Sequence, residues 1–420
     1  MRRPAERLRF FLPPACRRSG FTLVEVLTAT LLTLILMYAV VQVFGMIGEN
    51  VSNARTVLEA SDRLRAASTR LQQDLQGLTV ISLPPRGPGD GNGYFELIEG
   101  TVHPASIAID RDRGGIVDDT VSDFDDRLMF TSHNVVRPFL GKCTSTSDGT
   151  IESDTAEIVW FVRRRTLYRR VLLVAPGVDL SAARVADFYD DNVGGGYDIS
   201  ARIDNSTGTP IPVANTLDDL CRRECRFGHA TGGFPYDARG WKSNGFPTFA
   251  DLAPLGFAPT GNAWGQYDFW RDAPTDPPPG TSGARREGED IILTNVIGFD
   301  VKVWDPGAGR YVNLGEAGAV AFAGTGLPAS KLHTGNSRVY CTWSFHYEHD
   351  GEDQDGTAGA DQGTNGFDDN VAGGVDDASE WETAPPYPVP LRGIQVRIRV
   401  FEPESRQIRE VTVVQDFLPK

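Results

Sequence analysis

The sequence predicts an α+β protein: one long N-terminal helix followed by an antiparallel, β-rich head with large loop insertions. Three observations carry that expectation. Phe21 to Gly48, FTLVEVLTATLLTLILMYAVVQVFGMIG, is predominantly apolar and holds a single charge, Glu25. No proline occurs between Arg18 and Leu83, so a helix begun in the apolar run has nothing to stop it for many turns. Near the C-terminus, GIQVRIRVF and RQIREVTVVQDF alternate apolar and polar residues, separated only by EPES. That is the period of a strand and the spacing of a hairpin.

The apolar run comes first. A helix of about 20 residues crosses a hydrocarbon core of roughly 30 Å, and residues 26–48 meet that length. The preceding leader holds Arg2, Arg3, Arg7, Arg9, Arg17 and Arg18. Positive charge beside a first apolar segment keeps that end in the cytoplasm. Everything downstream is therefore expected outside, and the chain is expected to be single-pass. A secretory signal would place a small-residue cleavage site after its apolar region. Here the small residue, Gly20, precedes the run.

Beyond Gly48 the helix is expected to continue as an amphipathic segment over residues 49–78. Val51, Ala54, Val57, Leu58, Leu64, Ala67, Leu71, Leu75 and Leu78 recur at three-and-four spacing, with charged residues between them. Gly77 and then Pro84-Pro85 supply the stop. A short coiled coil over residues 50–78 is the competing reading.

Residues 79–420 form the head. Strands are expected at Tyr94–Ile98, Ser106–Ile109 and Arg127–Ser132. A hairpin is expected at Ala156–Arg164 with Thr166–Ala175. Regular pattern returns at Asp290–Trp304 and at Tyr340–Tyr347, and the chain closes with Gly393–Phe401 and Arg406–Phe417. In the first strand of that last pair, Ile394, Val396, Ile398 and Val400 share one face, opposite Gln395, Arg397 and Arg399. Residues 178–290 carry clusters such as DAPTDPPPG and read as a mostly irregular insertion, and residues 348–385 as an acidic loop.

Charge narrows the partners. The formal net charge is −15. Without the first 20 residues, 35 basic and 55 acidic residues remain, a net charge of −20. So acidic a body is a poor nucleic-acid binder, because backbone recognition needs positive charge. It suits cations. Residues 188–198, FYDDNVGGGYD, and 367–377, FDDNVAGGVDD, share the core DDNV-x-GG. Calcium takes six to eight oxygen ligands. Asp350, Glu352, Asp353, Asp355, Asp368, Asp369, Asn370, Asp376 and Asp377 form a candidate Ca2+ donor set, although the spacing is not that of an EF-hand. A solvated acidic loop with Asp-Gly and Asn-Gly turns is the alternative.

The cysteines are Cys16, Cys143, Cys221, Cys225 and Cys341. Loss of Cys16 with the leader leaves four, enough for two disulfides in three pairings. Cys221, Cys225 and His229 are spaced to begin a metal site on a helix, with no evident fourth ligand. His346 and His349 flank Tyr347-Glu348 as a weaker metal signal. No HExxH, GxSxG, phosphate-cradling or dinucleotide motif occurs, so no catalytic residues are assigned and an enzyme is not expected.

Arg17-Arg18-Ser19-Gly20 followed by FTLVEVL closely resembles the signal of type IV prepilins and type II secretion pseudopilins. The resemblance covers residues 17–48 and extends with the helix to about residue 78. It implies cleavage after Gly20 by a prepilin peptidase and N-methylation of Phe21. Glu25 would then be the fifth mature residue, the acid used in assembly. It implies a bacterial inner-membrane protein with a periplasmic or extracytoplasmic head. Its partners would be other pilin-like subunits and the inner-membrane assembly platform, in a type II secretion pseudopilus or a type IV pilus. SxRLQQDL at residues 68–75 and VRIRV near the end are similar to the minor pseudopilin J type, and the bulky head suits a minor subunit. The alternative is a binding or adhesion protein carried on a pilin-type anchor, its contact surface supplied by Trp241, Trp264 and Trp270. An anchored enzyme is a third reading, lacking convergent catalytic groups.

Overall fold

A computed structural model describes residues 20–81, 90–99, 108–109, 119–120, 126–134, 136–163, 166–183, 188, 197–204, 211–222, 225–227, 289–314, 339–342, 362–363, 367–375, 377, 379–380, 391–403, 405 and 407–417. These residues hold one α-helix and antiparallel sheets, an α+β architecture. Contacts divide the chain into two compact units, Met1–Thr56 and Val57–Lys420.

In the first unit the described residues form the opening turns of α1, which as a whole runs Leu23–Gln76. Its Leu23–Gly48 segment has a mean hydropathy of 2.2 and is long and apolar enough to cross a membrane. Its large side chains are exposed, from Phe21 through Leu36 to Ile47. The threonine hydroxyls in this segment do not need water. Thr28 donates to the Glu25 carbonyl, Thr30 to Leu27 and Thr33 to Ala29, at 2.7–3.0 Å. Such back-bonding lets a hydroxyl sit in an apolar medium.

In the second unit α1 becomes a core element. Ala60, Leu64, Ala67, Leu71 and Leu75 are buried at three- and four-residue steps; the last four lie on the expected face, whereas Leu58, also expected there, is exposed. Each fully buried leucine contributes about 1.5–3 kcal/mol relative to exposure. The helix ends at Gln76, and the next position, Gly77, has no room for a side chain. A Cβ at Gly77 would collide with the Ser132 hydroxyl and the His133 carbonyl. The chain instead bonds across at that point, with the His133 N–H donating to the Gly77 carbonyl at 2.7 Å.

The strands are numbered in chain order: β1 (Phe95–Ile98), β2 (Ala108–Ile109), β3 (Asp119–Thr120), β4 (Arg127–His133), β5 (Phe139–Lys142), β6 (Thr150–Ser153), β7 (Thr155–Arg163), β8 (Thr166–Leu173), β9 (Ala201–Asp204), β10 (Ile211–Ala214), β11 (Glu289–Leu293), β12 (Val296–Asp305), β13 (Arg310–Val312), β14 (Val339–Cys341), β15 (Gly393–Glu402) and β16 (Gln407–Asp416). A six-stranded sheet has the order β11-β8-β7-β4-β1-β14 and a four-stranded sheet the order β13-β12-β15-β16. Pairs β2-β3, β5-β6 and β9-β10 complete the described strands.

The expected hairpins form. β7 pairs with β8 from Ala156–Leu173 to Arg163–Thr166, and β15 with β16 from Gly393–Asp416 to Glu402–Gln407. Ile394, Val396 and Ile398 are fully buried while Gln395, Arg397 and Arg399 are half-buried, as the alternation requires.

The structure refines three regions of the sequence reading. Asp290–Trp304 is two strands, not one. Asn295, at φ +58°, turns the chain between β11 and β12, and the strands join different sheets. Asparagine tolerates that left-handed conformation better than most residues. Next, the described part of 178–290 sets short regular elements among irregular stretches. It supplies β9, β10 and a 3₁₀ turn at Asp219–Cys221, and buries Leu180, Phe188, Tyr197, Ile199, Ala201, Ala214, Leu220 and Phe227. Its strands of four residues are too short to show alternation, and its apolar residues are spread among glycines and prolines. Last, β14 covers only Val339–Cys341, and residues 343–347 lie outside the described residues. The Trp241, Trp264 and Trp270 cluster also lies outside them.

Both faces of β7-β8 are covered, which is why every residue of β8 is buried. On one face, Trp160 and Arg169 stand opposite each other in register and both reach Asp74 of α1. Trp160 Nε1 donates to Asp74 Oδ2 at 3.0 Å, Arg169 Nε to the same oxygen at 2.6 Å, and Arg169 Nη2 to Oδ1 at 2.8 Å. The Asp74 carbonyl accepts from the Ser132 hydroxyl at 2.8 Å. Removing one partner of a buried, hydrogen-bonded ion pair costs about 3–5 kcal/mol. Asp74→Ala is therefore expected to lower the unfolding free energy of the detergent-solubilised chain by that amount in a urea titration. Asp74→Ala with Arg169→Met should cost less than the sum of the two changes made singly. Additive losses would show that the pair carries no coupling.

Candidate functional site

Gly20 and Phe21 sit just ahead of α1. Gly20 is exposed, and beyond its own chain neighbours no atom of the described residues lies within 4 Å of where a side chain would start. Phe21 is 85 % exposed. The helix then opens with a capping box. The Glu25 N–H donates to the Thr22 hydroxyl oxygen at 3.2 Å, and Glu25 Oε2 accepts from the Thr22 N–H at 2.9 Å and the Thr22 hydroxyl at 3.0 Å. Two groups of an otherwise unpaired helix start are thereby satisfied, and a carboxylate lies where the helix dipole favours it. The TLVE spacing that builds this box is local, so it was visible in the sequence. Phe21, Glu25, Val26, Ala29, Thr30, Thr33 and Leu34 line one open groove of about 660 Å³. Its lining combines small and apolar residues with one acid, which Thr22 already holds.

The candidate calcium residues divide. Asp350, Glu352, Asp353, Asp355 and Asp376 lie outside the described residues. Asp368, Asp369 and Asn370 are exposed, and Asp377 is half-buried. Asn370 Oδ1 accepts from the Ala372 N–H at 2.7 Å, and Asp377 Oδ1 from the Ser379 N–H at 2.6 Å. The bonds from the Ser379 hydroxyl and N–H hold the Asp377 carboxyl below the usual carboxylate range. Among the described residues no three His, Cys, Asp or Glu side chains converge to hold a metal ion.

What organises this loop is a residue outside that set. Glu380 is 3 % exposed, and its two oxygens accept from the N–H groups of Asn370 at 3.0 Å and Asp377 at 3.3 Å. Gly373, at φ +94°, has the Asp377 carboxylate where a Cβ would stand. Val371 adopts φ +57°, an uncommon region for a β-branched residue. Glu380 closes the DDASE run just beyond the repeat, and a single glutamate after a string of aspartates gave no sign of burial.

Cys143, Cys221, Cys225 and Cys341 are buried thiols in this structure. The candidate metal partner His229 and the pair His346 and His349 lie outside the described residues. Arg226, fully buried, donates through Nη1 to Glu96 Oε2 at 3.0 Å and to Cys341 Sγ at 3.2 Å. Its guanidinium lies 4.2 Å from the centre of the Tyr94 ring. Burial works against its charge, but Cys341, Glu96 and Tyr94 hold its proton above the ordinary arginine range.

Beside it, every oxygen of Glu157 is taken. Oε1 accepts from Tyr94 Oη at 2.6 Å and the Phe227 N–H at 2.9 Å, and Oε2 from the Ser200 hydroxyl at 2.6 Å. Asn215 Nδ2 donates to the Ser200 oxygen and to the Cys225 carbonyl, both at 2.9 Å. Burial first, and Glu157 second, push the Tyr94 hydroxyl well up. A buried carboxylate that accepts three hydrogen bonds fixes a chain segment. Sequence reading missed this network because its members come from β1, β7 and the 197–227 segment.

No protein-family model, curated protein or solved structure matches the chain.

Loss of a buried acceptor leaves its donors unpaired at about 1–3 kcal/mol each. Glu380→Ala is therefore expected to open the 367–380 loop to limited proteolysis at least several-fold faster than in the natural chain, while Glu380→Gln stays closer to it. Equal cleavage rates in all three would show that Glu380 does not hold the loop.

Proposed function

We propose that this chain is a pilin-like structural subunit. A prepilin peptidase would cut it after Gly20 and methylate Phe21. Its N-terminal helix would then assemble with those of other pilin-like subunits, served by the inner-membrane assembly platform, into a type II secretion pseudopilus or a type IV pilus. The head, residues 79–420, would remain outside the bacterial inner membrane, and its bulk suits a minor subunit. No catalytic role is assigned to it.

One observation supports this reading most directly. Glu25 is the single charge on an exposed apolar helix, it lies four residues beyond the amine that cleavage would create, and it borders the groove at Ala29, Thr30 and Thr33. In hydrocarbon a carboxylate is costly unless paired. Within one chain, Thr22 supplies two neutral donors. A neighbouring subunit's new amino terminus would add the positive charge. Small residues beside the acid allow helix backbones to approach closely, as association in a membrane requires. The leader RRSG ahead of Phe21 fits an assembly role.

Two single substitutions test the proposal. Gly20→Asp should leave the chain uncut, longer by its first 20 residues than the processed form, and absent from sheared filaments. Glu25→Leu should be cut normally, because the cleavage point is untouched, yet fall at least tenfold in filament content. Chain size by mass spectrometry and filament content by immunoblot are the readouts. If both variants are processed and incorporated like the natural chain, the reading is wrong.

A further inference from the structure

Cys221 and Cys341 lie 120 positions apart in sequence and meet against one buried guanidinium. Cys341 ends β14, directly opposite Glu96 of β1 in the sheet register. Cys221 ends the 3₁₀ turn Asp219–Cys221. Arg226 joins the two positions. Its Nη1 reaches Cys341 Sγ at 3.2 Å, its Nη2 donates to the Cys221 carbonyl at 2.8 Å, and its Nε to the Leu220 carbonyl at 2.9 Å. Cys221 Sγ lies 3.6 Å from the Gly93 carbonyl oxygen, two residues ahead of β1. Both cysteines are at most 2 % exposed, and one guanidinium touches the sulfur of Cys341 and the carbonyl of Cys221.

The backbones of the other two cysteines bond to different neighbours. Cys143 follows β5, with its N–H donating to the Gly149 carbonyl at 3.0 Å. The Cys225 carbonyl is held by Asn215. No third metal-binding side chain joins the pair among the described residues, so a two-sulfur chemistry is the one the site offers.

We propose that Cys221 and Cys341 are the halves of a disulfide that ties the 3₁₀ turn to edge strand β14 of the six-stranded sheet. A disulfide oxidant such as oxidised glutathione completes the chemistry. The Cys341 sulfur, after losing its proton, attacks one sulfur of the oxidant and releases one glutathione thiol. The Cys221 sulfur, likewise deprotonated, attacks the mixed disulfide and releases the second. Two protein thiols become one disulfide, and the oxidant's disulfide becomes two thiols.

Timing follows from burial. In the folded chain, desolvation pushes the Cys221 thiol up to about 11, which makes it a weak nucleophile at neutral pH. The bond therefore forms while the head is folding and the sulfur still meets water. Afterwards the same burial shields it from reductants. Occurrence in the cell requires an oxidising compartment and so rests on the extracytoplasmic reading above; the choice of partners does not.

The test uses the full chain in detergent micelles. It is opened in urea with a glutathione redox pair, returned to buffer, alkylated at remaining thiols and digested without reductant. Mass spectrometry should find the Cys221 and Cys341 peptides joined, two hydrogens lighter than their sum. The linked species should vanish in Cys221→Ser and in Cys341→Ser and persist in Cys143→Ser. Cys221 joined instead to any other cysteine, or every cysteine alkylated, overturns the pairing. The Gly20→Asp chain should give the same linked peptides, so failure of the pairing is separable from failure of the processing proposal.

Discussion

The head depends on a buried charge on the helix. Asp74 brings one carboxylate into the interior, where an unpaired charge would cost several kcal/mol. Arg169 and Trp160 supply three donors to it at 2.6–3.0 Å, so α1 can pack on the six-stranded sheet only in the position that satisfies all of them. Leucine packing alone, through Leu64, Leu71 and Leu75, would tolerate small shifts along or around the helix. The ion pair is directional and does not. Gly77 adds a second constraint on the same placement, because β4 passes where its side chain would be.

The opposite face of that sheet is organised by the same logic with different atoms. Glu157 is held by hydrogen bonds from Tyr94, Ser200 and Phe227, and Glu96 is paired with Arg226. Arg170 lies over the Phe227 ring at 4.2 Å. These groups pull the 197–227 segment down onto the sheet. The result is a three-layer head, with the helix on one side and a short-stranded, loop-rich segment on the other. Both buried polar centres restrict how the covering layers sit, and that restriction explains why so many charged groups lie in the core of so acidic a protein.

Much of this was readable because it is local. The T-x-x-E start of α1, its three-and-four spacing, and the alternation in β15 and β16 each involve residues within one or two turns or pleats of each other. The β7-β8 hairpin is legible for the same reason. The short strands β9 and β10 are not, since four residues cannot establish a period. Nor is the break at Asn295, where two strands of similar composition run together and only their destination in different sheets separates them.

Local pattern is enough to specify an apolar helix headed by Gly20, Phe21 and Glu25, and an antiparallel β head behind it. These follow from hydrophobic periodicity, charge placement and the absence of proline, all of which act over a few residues. It took the fold to make Asp74 a buried ion-pair partner, to set Glu380 at the acidic loop, and to bring Cys221 and Cys341 to Arg226. Each of those roles depends on groups brought together from distant parts of the chain. An aspartate on an amphipathic helix looks like a solvated residue until the fold places Arg169 and Trp160 against it.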